Sequence, residues 1–188
     1  MLRLCSTSKV RQEILKQARI PFITSDSGFD EEKLEMALKI ESPKNFAYAA
    51  AIGKHQSALE RYGLDMPLLI ADSVVSCDGV LQRKARNSAE AFAFLNAQSG
   101  GVLSVISCAI LHSKAFYCVD LSVTHYVLEY FREDEIEAYL QSGLWQGKAG
   151  AVMVEGFHKA FIKEQIGSTY NAMGLHIEAL LPFLKDLA

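Results

Sequence analysis

The chain is short of the features that mark specialised classes of protein. Its four cysteines, Cys5, Cys77, Cys108 and Cys118, form no CxxC pair, so neither a zinc site nor a disulfide framework is expected and reduced, buried thiols are. There are only four prolines among 188 residues, with no Pro-rich linker, low-complexity tract or internal repeat. No basic excess exists either. The formal net charge of -3 gives no general attraction for nucleic acid or anionic membrane, so an anionic ligand has to be met by a local cluster of cations. The longest apolar stretch, Val102 to Leu111, is too short to cross a bilayer, and Met1 to Ser6 lacks a continuous apolar region, so the cytoplasm is the expected compartment.

What is present suits one folded unit. Half the residues are hydrophobic and 22% are charged, ordinary globular proportions, and a chain of this length buries roughly 70% of its unfolded surface. Residues 1–188 read as a single domain, or one domain with two lobes. The pattern opens with a short strand, Leu2 to Cys5, a polar turn, Ser6-Thr7-Ser8-Lys9, and a helix carrying Val10, Ile14, Leu15 and Ala18 at helical spacing. A second strand, Ile20 to Thr24, leads into a polar loop. A helix spans about Pro43 to Tyr62, with Phe46, Ala50, Ile52 and Leu59 on its apolar face and Pro in its first turn.

Leu68 to Ser76 reads as a central strand, and Asp78-Gly79 as a hairpin turn returning through Val80-Leu81 to Lys84. A helix follows over Ser88 to Gln98 with a Ser cap. The β-like runs Val102 to Leu111 and Ala115 to Leu128 pair as a long hairpin around His112-Ser113-Lys114. Ile136, Tyr139 and Leu140 mark a short helix closed by Gly143. The rest is Gly-punctuated to Gly174, and an amphipathic helix runs from about Ile177 to Leu187. Helices alternating with strands and hairpins predict an α/β fold on a mixed sheet.

Within the central strand, Asp72-Ser73 is a polar island between Leu68-Leu69-Ile70 and Val74-Val75. An unpaired buried carboxylate costs several kcal/mol, so Asp72 is expected at a working edge beside a cation or metal. The turn Ser6-Thr7-Ser8-Lys9-x-Arg11 joins a strand to a helix N-terminus, where free N–H groups and the helix dipole favour an anion. It is either a phosphate cradle or a Ser-capped helix with solvated cations, and it lacks the Walker frame. Asp30, Glu31 and Glu32 form an acidic loop. One of them could join Asp72 in an oxygen-ligand Mg²⁺ site, which takes one or two carboxylates plus substrate phosphates. Lys54 and Lys84 read as surface charges when taken alone. Lys148 stands out because Gly147-Lys148-Ala149-Gly150-Ala151 crowds small residues around one cation. The five histidines are scattered and receive no catalytic role.

Taken together, Leu4-Cys5-Ser6-Thr7-Ser8, Arg11-Gln12-Glu13-Ile14-Leu15, Ala71-Asp72-Ser73-Val74-Val75 and Lys148-Ala149-Gly150-Ala151 resemble the Maf family of nucleoside triphosphate pyrophosphatases. Gly79-x4-Lys84, Ser99-Gly100, Ile136-Glu137-Ala138-Tyr139 with Ser142-Gly143, Glu155-Gly156 and Asn171 before Gly174-Leu175 extend the resemblance in order along nearly the whole chain. It implies a Maf-like α/β fold, related to inosine triphosphate pyrophosphatase, with a mixed sheet, flanking helices and two lobes around a cleft. It also implies metal-assisted hydrolysis of a nucleoside triphosphate to monophosphate and pyrophosphate, with Mg²⁺ or Mn²⁺, and a link to septum formation. Asp72 falls on the family's proton acceptor, Glu31 on an acidic loop residue, and Lys54, Lys84 and Lys148 on its cleft lysines. Ser6, Ser8 and Arg11 fall on the first phosphate-facing turn.

The chain also departs from the family pattern. Lys9-Val10 replaces Pro-Arg or Pro-Tyr, Ser73 replaces Thr, and Ala85 replaces Pro. Gly147 and Glu155 stand where the dTTP/UTP branch has an acidic residue and Gln, while the 7-methyl-GTP branch shares Glu155 but generally lacks Lys148, so the two signatures are mixed and the base stays open. Asp72 and Glu31 are then expected to hold the metal or orient a water, Lys84 to stabilise developing charge, and Glu155 to read the base. A nucleotide-binding cell-division regulator with weak or lost catalysis is the alternative, motivated by Lys9, Val10 and Gly147. A nucleic-acid-binding module is disfavoured by the acidic charge. A homodimer is the remaining partner expectation.

Overall fold

The computed structural model describes residues 1–29 and 42–185. The elements in chain order are β1 (Leu2–Leu4), α1 (Lys9–Gln17), β2 (Phe22–Thr24), α2 (Pro43–Tyr62), β3 (Leu68–Cys77) and β4 (Val80–Gln82). They continue as α3 (Ser88–Gln98), β5 (Val102–His112), β6 (Tyr117–Leu128), α4 (Glu133–Ser142), a 3₁₀ turn (Phe157–Phe161), β7 (Ile162–Ile166), α5 (Thr169–Ala172) and α6 (Ile177–Lys185). The expected α/β class holds: seven strands form one mixed sheet in the order β2-β1-β3-β5-β6-β7, with β4 paired to β3.

One edge of β3 positions the site. β1 joins it in parallel at Leu68 and Leu69, and β4 joins the same edge antiparallel at Val75 to Cys77. Between these partners, residues 70–74 have no strand beside them on that edge among the described residues, while β5 pairs the other edge along its full length. The β4 hairpin turns as the sequence requires. Asp78 has φ +47° and Gly79 has φ +83°, the pair of positive angles that a two-residue turn needs to match the strand twist.

Period-two alternation on β3 divides its residues between two covers. Leu68, Ile70 and Val74 face α2, where they pack with Phe46, Ala47, Ala50, Ala51 and Ala58 and with Ile106, Cys108 and Ile110 of β5. Leu69 and Ala71 face α1 and α6, whose Ile14, Leu15, Ile177, Leu180 and Leu184 close a second core with Leu2 and Leu4. A third cluster, rich in aromatics, gathers at the far end of the sheet: Val75, Leu103, Tyr126, Phe131, Tyr139, Trp145 and Phe161. No described helix is long and apolar enough to cross a membrane.

Four details differ from the sequence expectation. The cap of α3 is Asn87, whose side chain accepts the Glu90 N–H at 2.9 Å, because the chain turns one residue before Ser88. Ile52 and Leu59 are only half-buried, since the small residues Ala47, Ala50, Ala51 and Ala58 hold α2 on the sheet. Val10 is exposed, not part of the α1 core. The stretch before Gly174 contains a strand, β7, which had no visible alternation because it lies at the sheet margin and is largely exposed.

Candidate active site

The unpaired stretch of β3 carries the two polar residues of the island to opposite faces. Asp72 belongs to the face under α2, and Lys54 lies on the sheet-facing stripe of that helix with Ala47, Ala50, Ala51 and Ala58. The Lys54 ammonium therefore meets Asp72, donating to Oδ1 at 2.5 Å, with side-chain exposures of 14% and 9%. Asp72 Oδ2 has no partner among the described residues. A short charge-assisted contact in this setting offsets the desolvation that makes a lone carboxylate costly.

Ser73 points to the other face and meets Arg11. The Arg11 guanidinium donates from Nη2 to Ser73 Oγ at 3.1 Å, from Nη1 to Ser6 Oγ at 3.1 Å and from Nε to the Gly174 carbonyl at 2.8 Å. It thereby ties the first turn, the central strand and the start of the C-terminal segment together. Ser73 also exchanges a hydrogen bond with Ser107 at 2.8 Å, and Ser107 donates to the Asn171 carbonyl at 2.9 Å. Ser8 caps α1 by accepting the Arg11 N–H at 3.4 Å.

The third wall is the loop around Lys148. Lys84 and Ala149 form an isolated antiparallel bridge, and the Gly150 N–H donates to the Arg83 carbonyl at 2.9 Å, so the two lysines emerge from adjacent backbones. Neither has an ion-pair partner among the described residues. A buried polar chain supports this loop from below. Met153 N–H donates to His158 Nδ1 at 3.1 Å, which leaves Nε2 as the donor to Gln98 Oε1 at 2.7 Å. Gln98 Nε2 then reaches both Gln82 Oε1 and the Gly150 carbonyl, each at 2.7 Å. Burial pushes the His158 imidazole down to about 4, so it is a neutral support near physiological pH.

These walls enclose two adjoining chambers. A polar one of about 600 Å³ is lined by Ser6, Ser8, Arg11, Lys54, Asp72, Lys84 and Lys148 together with Thr7 and Ser27. An apolar one of about 690 Å³ is lined by Val75, Tyr126, Val152, Ile162 and Met173, with Glu155, Lys159 and Gln165 among its polar groups. Ser8, Arg11, Ser73, Ala149 and Met173 line both, so the chambers meet along that line. Seven residues singled out in the sequence thus share one cavity, and Glu155 stands in its neighbour. Glu31, with Asp30 and Glu32, lies outside the described residues.

Sequence reasoning did not reach most of the apolar chamber. Its residues come from α1, β3, β5, β6, the loop leading into the 3₁₀ turn, β7 and α5, and no local pattern joins them. Val10 was the available signal: an apolar residue in a helical pattern that the core leaves exposed. Cys5 borders the polar chamber, but burial, only partly opposed by Arg3, pushes its thiol up to about 11 and keeps it protonated. Among the described residues no three His, Cys, Asp or Glu side chains form a cluster able to hold a metal by themselves. A hard divalent cation does not need one where substrate oxygens complete its shell, and Asp72 Oδ2 fits as its protein ligand.

A family model, Maf-like protein, matches residues 1–187. A protein of a Nitratiruptor species is 45% identical over 187 residues, covering all of both chains. One of Helicobacter pylori strain J99 is 42% identical over 184 residues, 98% of this chain and 95% of the relative. One of Campylobacter jejuni is 34% identical over 187 residues, 98% of this chain and all of the relative. All three carry the name nucleoside triphosphate pyrophosphatase. With its length matched almost from end to end, and the turn at Ser6, the Asp72 strand and the Lys148 loop meeting in one cleft, the chain belongs to the Maf-like protein family.

Proposed function

We propose that this protein is a hydrolase that cleaves a nucleoside triphosphate into the monophosphate and pyrophosphate. The observation that carries this reading is the pairing of a cation-lined polar chamber with an apolar one across a shared line at Arg11 and Ser73. A triphosphate has about four negative charges near neutral pH, and Lys54, Lys84, Lys148 and Arg11 are the groups that offset them. A base packs in the apolar chamber, and the α-phosphate then lies near the line where the chambers meet.

Each residue has a stated part. Arg11 binds the phosphate chain, with Ser6 and Ser8 offering hydroxyls from the strand-to-helix turn. Asp72 orients a water and takes its proton as the water oxygen bonds to the α-phosphorus and the bond to the bridging oxygen breaks. Lys84 and Lys148 stabilise the negative charge that moves onto the departing pyrophosphate. Where Asp72 serves as a ligand in place of a base, Asp72 and Glu31 would hold Mg²⁺ or Mn²⁺, which would supply Lewis-acid charge neutralisation to the phosphates. Glu155 accepts a hydrogen bond from an exocyclic amine of the base.

A nucleotide-binding cell-division regulator with weak or lost catalysis is the second reading, favoured by the closed Lys54 to Asp72 ion pair, which occupies the proposed proton acceptor. Pyrophosphate release from a panel of canonical and methylated nucleoside triphosphates, with and without Mg²⁺ or Mn²⁺, separates the two. Turnover that falls at least a hundredfold in Asp72→Asn supports the enzyme. Tight nucleotide binding without pyrophosphate release, or an Asp72→Asn protein at full turnover, rejects it.

A further inference from the structure

One polar group of the apolar chamber has no use inside the protein. Tyr126 of β6 is 1% exposed and lines that chamber, yet its hydroxyl has no hydrogen-bond partner among the described residues. A buried phenol ordinarily has one, and Tyr139, the other buried tyrosine among them, donates to the Ala151 carbonyl at 3.0 Å. The sheet explains how the ring reaches the chamber. Tyr126 pairs with Leu103 of β5 on one side and with Gln165 of β7 on the other, and directly opposed residues of antiparallel strands share a face. Two residues along, that face carries Val105 beside Val75, both in the chamber wall, and Gln165 lines the chamber too. Burial, and after it the Glu155 carboxylate, raise the Tyr126 phenol above its ordinary 10, so it keeps its proton near neutral pH and is a donor there. Glu155 is thus near enough to be felt, but no hydrogen bond joins the two side chains.

We propose that Tyr126 is a specificity-determining residue whose hydroxyl donates to an acceptor atom of the base, next to the N–H that Glu155 takes; the assignment rests on the nucleotide reading above. An ionised carboxylate only accepts, and this phenol has a proton with nothing in the protein to receive it. A group held between them therefore presents an N–H to Glu155 and, beside it, a carbonyl oxygen or ring nitrogen to Tyr126, the pattern of a nucleobase edge. Phosphate oxygens have no N–H to offer Glu155, so the same pair directs the triphosphate to the cation-lined chamber and the base to the apolar one. A ring without the acceptor leaves the hydroxyl unpaired. A site that buries an unpaired donor rejects such a ligand far more strongly than it rejects a mere change of size.

Tyr126→Phe removes the donor and keeps the ring, and it is tested with the nucleoside triphosphate that turns over fastest and with analogues of it in which C–H replaces, one at a time, each ring nitrogen or carbonyl of the base edge. On one analogue the wild type is expected to lose about tenfold in kcat/KM, chiefly through KM, whereas Tyr126→Phe handles parent and analogue alike and lies about tenfold below the wild type on the parent. Inorganic tripolyphosphate should bind both proteins equally in calorimetry, because Tyr126 does not line the polar chamber. Melting of Tyr126→Phe should be unchanged or raised, since the lost hydroxyl makes no bond within the protein. The proposal is overturned if no analogue distinguishes the two proteins, or if Tyr126→Phe weakens tripolyphosphate binding. A Tyr126→Phe chain that melts several degrees lower overturns it as well, by marking the hydroxyl as a structural bond. Nucleotide binding without pyrophosphate release refutes the enzyme reading alone, and the dissociation constants of parent and analogues on the two proteins then decide the role of Tyr126 by the same comparison.

Discussion

Lowering the pH from 7 to 4 should destabilise this protein through His158. The imidazole is fully buried, it donates to Gln98, and its Nδ1 already receives the Met153 N–H, so a second proton there would face a donor. Its proton affinity in the folded state drops from the ordinary 6.5 to about 4, with burial as the cause. The unfolded chain therefore binds a proton that the folded chain refuses throughout that window, and stability falls as pH falls. The contribution is intact above 6.5, declines by up to about 1.4 kcal/mol per pH unit below it, and is spent near 4, a loss on the order of 3 kcal/mol. Urea unfolding followed through the single, buried Trp145 measures it at several pH values. The stability difference between wild type and His158→Gln isolates the histidine. It should shrink by about 3 kcal/mol between pH 7 and pH 4. A difference that stays flat with pH would refute the reasoning.

Other substitutions probe the same construction. Gly150→Ala places a Cβ 2.8 Å from Val75 Cγ1 at φ +58°, and a loss of about 2–4 kcal/mol is expected in urea unfolding, with turnover reduced through Lys148. Lys54→Met leaves Asp72 without its partner and should cost about 3 kcal/mol, whereas Asp72→Asn still accepts from Lys54 and should cost less than half of that; paired melting curves compare them. Asn87→Ala should lower stability by about 1 kcal/mol while Ser88→Ala leaves it nearly unchanged, since only Asn87 caps α3. Arg11→Lys cannot span Ser6, Ser73 and Gly174 together, and a KM for the triphosphate raised about tenfold is expected in steady-state assays.

The parts legible in the sequence are those whose physics is local. Asp78-Gly79 announces its turn because few other pairs accept two positive φ angles, and Pro43 with Ser42 before it announces the start of α2. Asp72 was legible for a different reason: a carboxylate among aliphatic residues needs a partner, although which one depends on α2 bringing Lys54 across the sheet. The apolar chamber was hidden because its lining is assembled from segments scattered between α1 and α5. The polar support under Lys148 was half-visible. Ala91, Leu95 and Gln98 follow one helical stripe, so the buried position of Gln98 could have been read from its spacing, whereas nothing near His158 foretells its neutral role.

The split edge of β3 also orders the assembly of the molecule. β4 and β5 reach β3 from nearby in the chain, while β1 must return from the other side of α2, and contacts that close long loops form late. The late arrival also delivers Ser6, Ser8 and Arg11 to the polar chamber. On the proposed function, a chain still folding would lack its phosphate-binding turn, and nucleotide would be captured only by molecules in which β1 has joined the central strand.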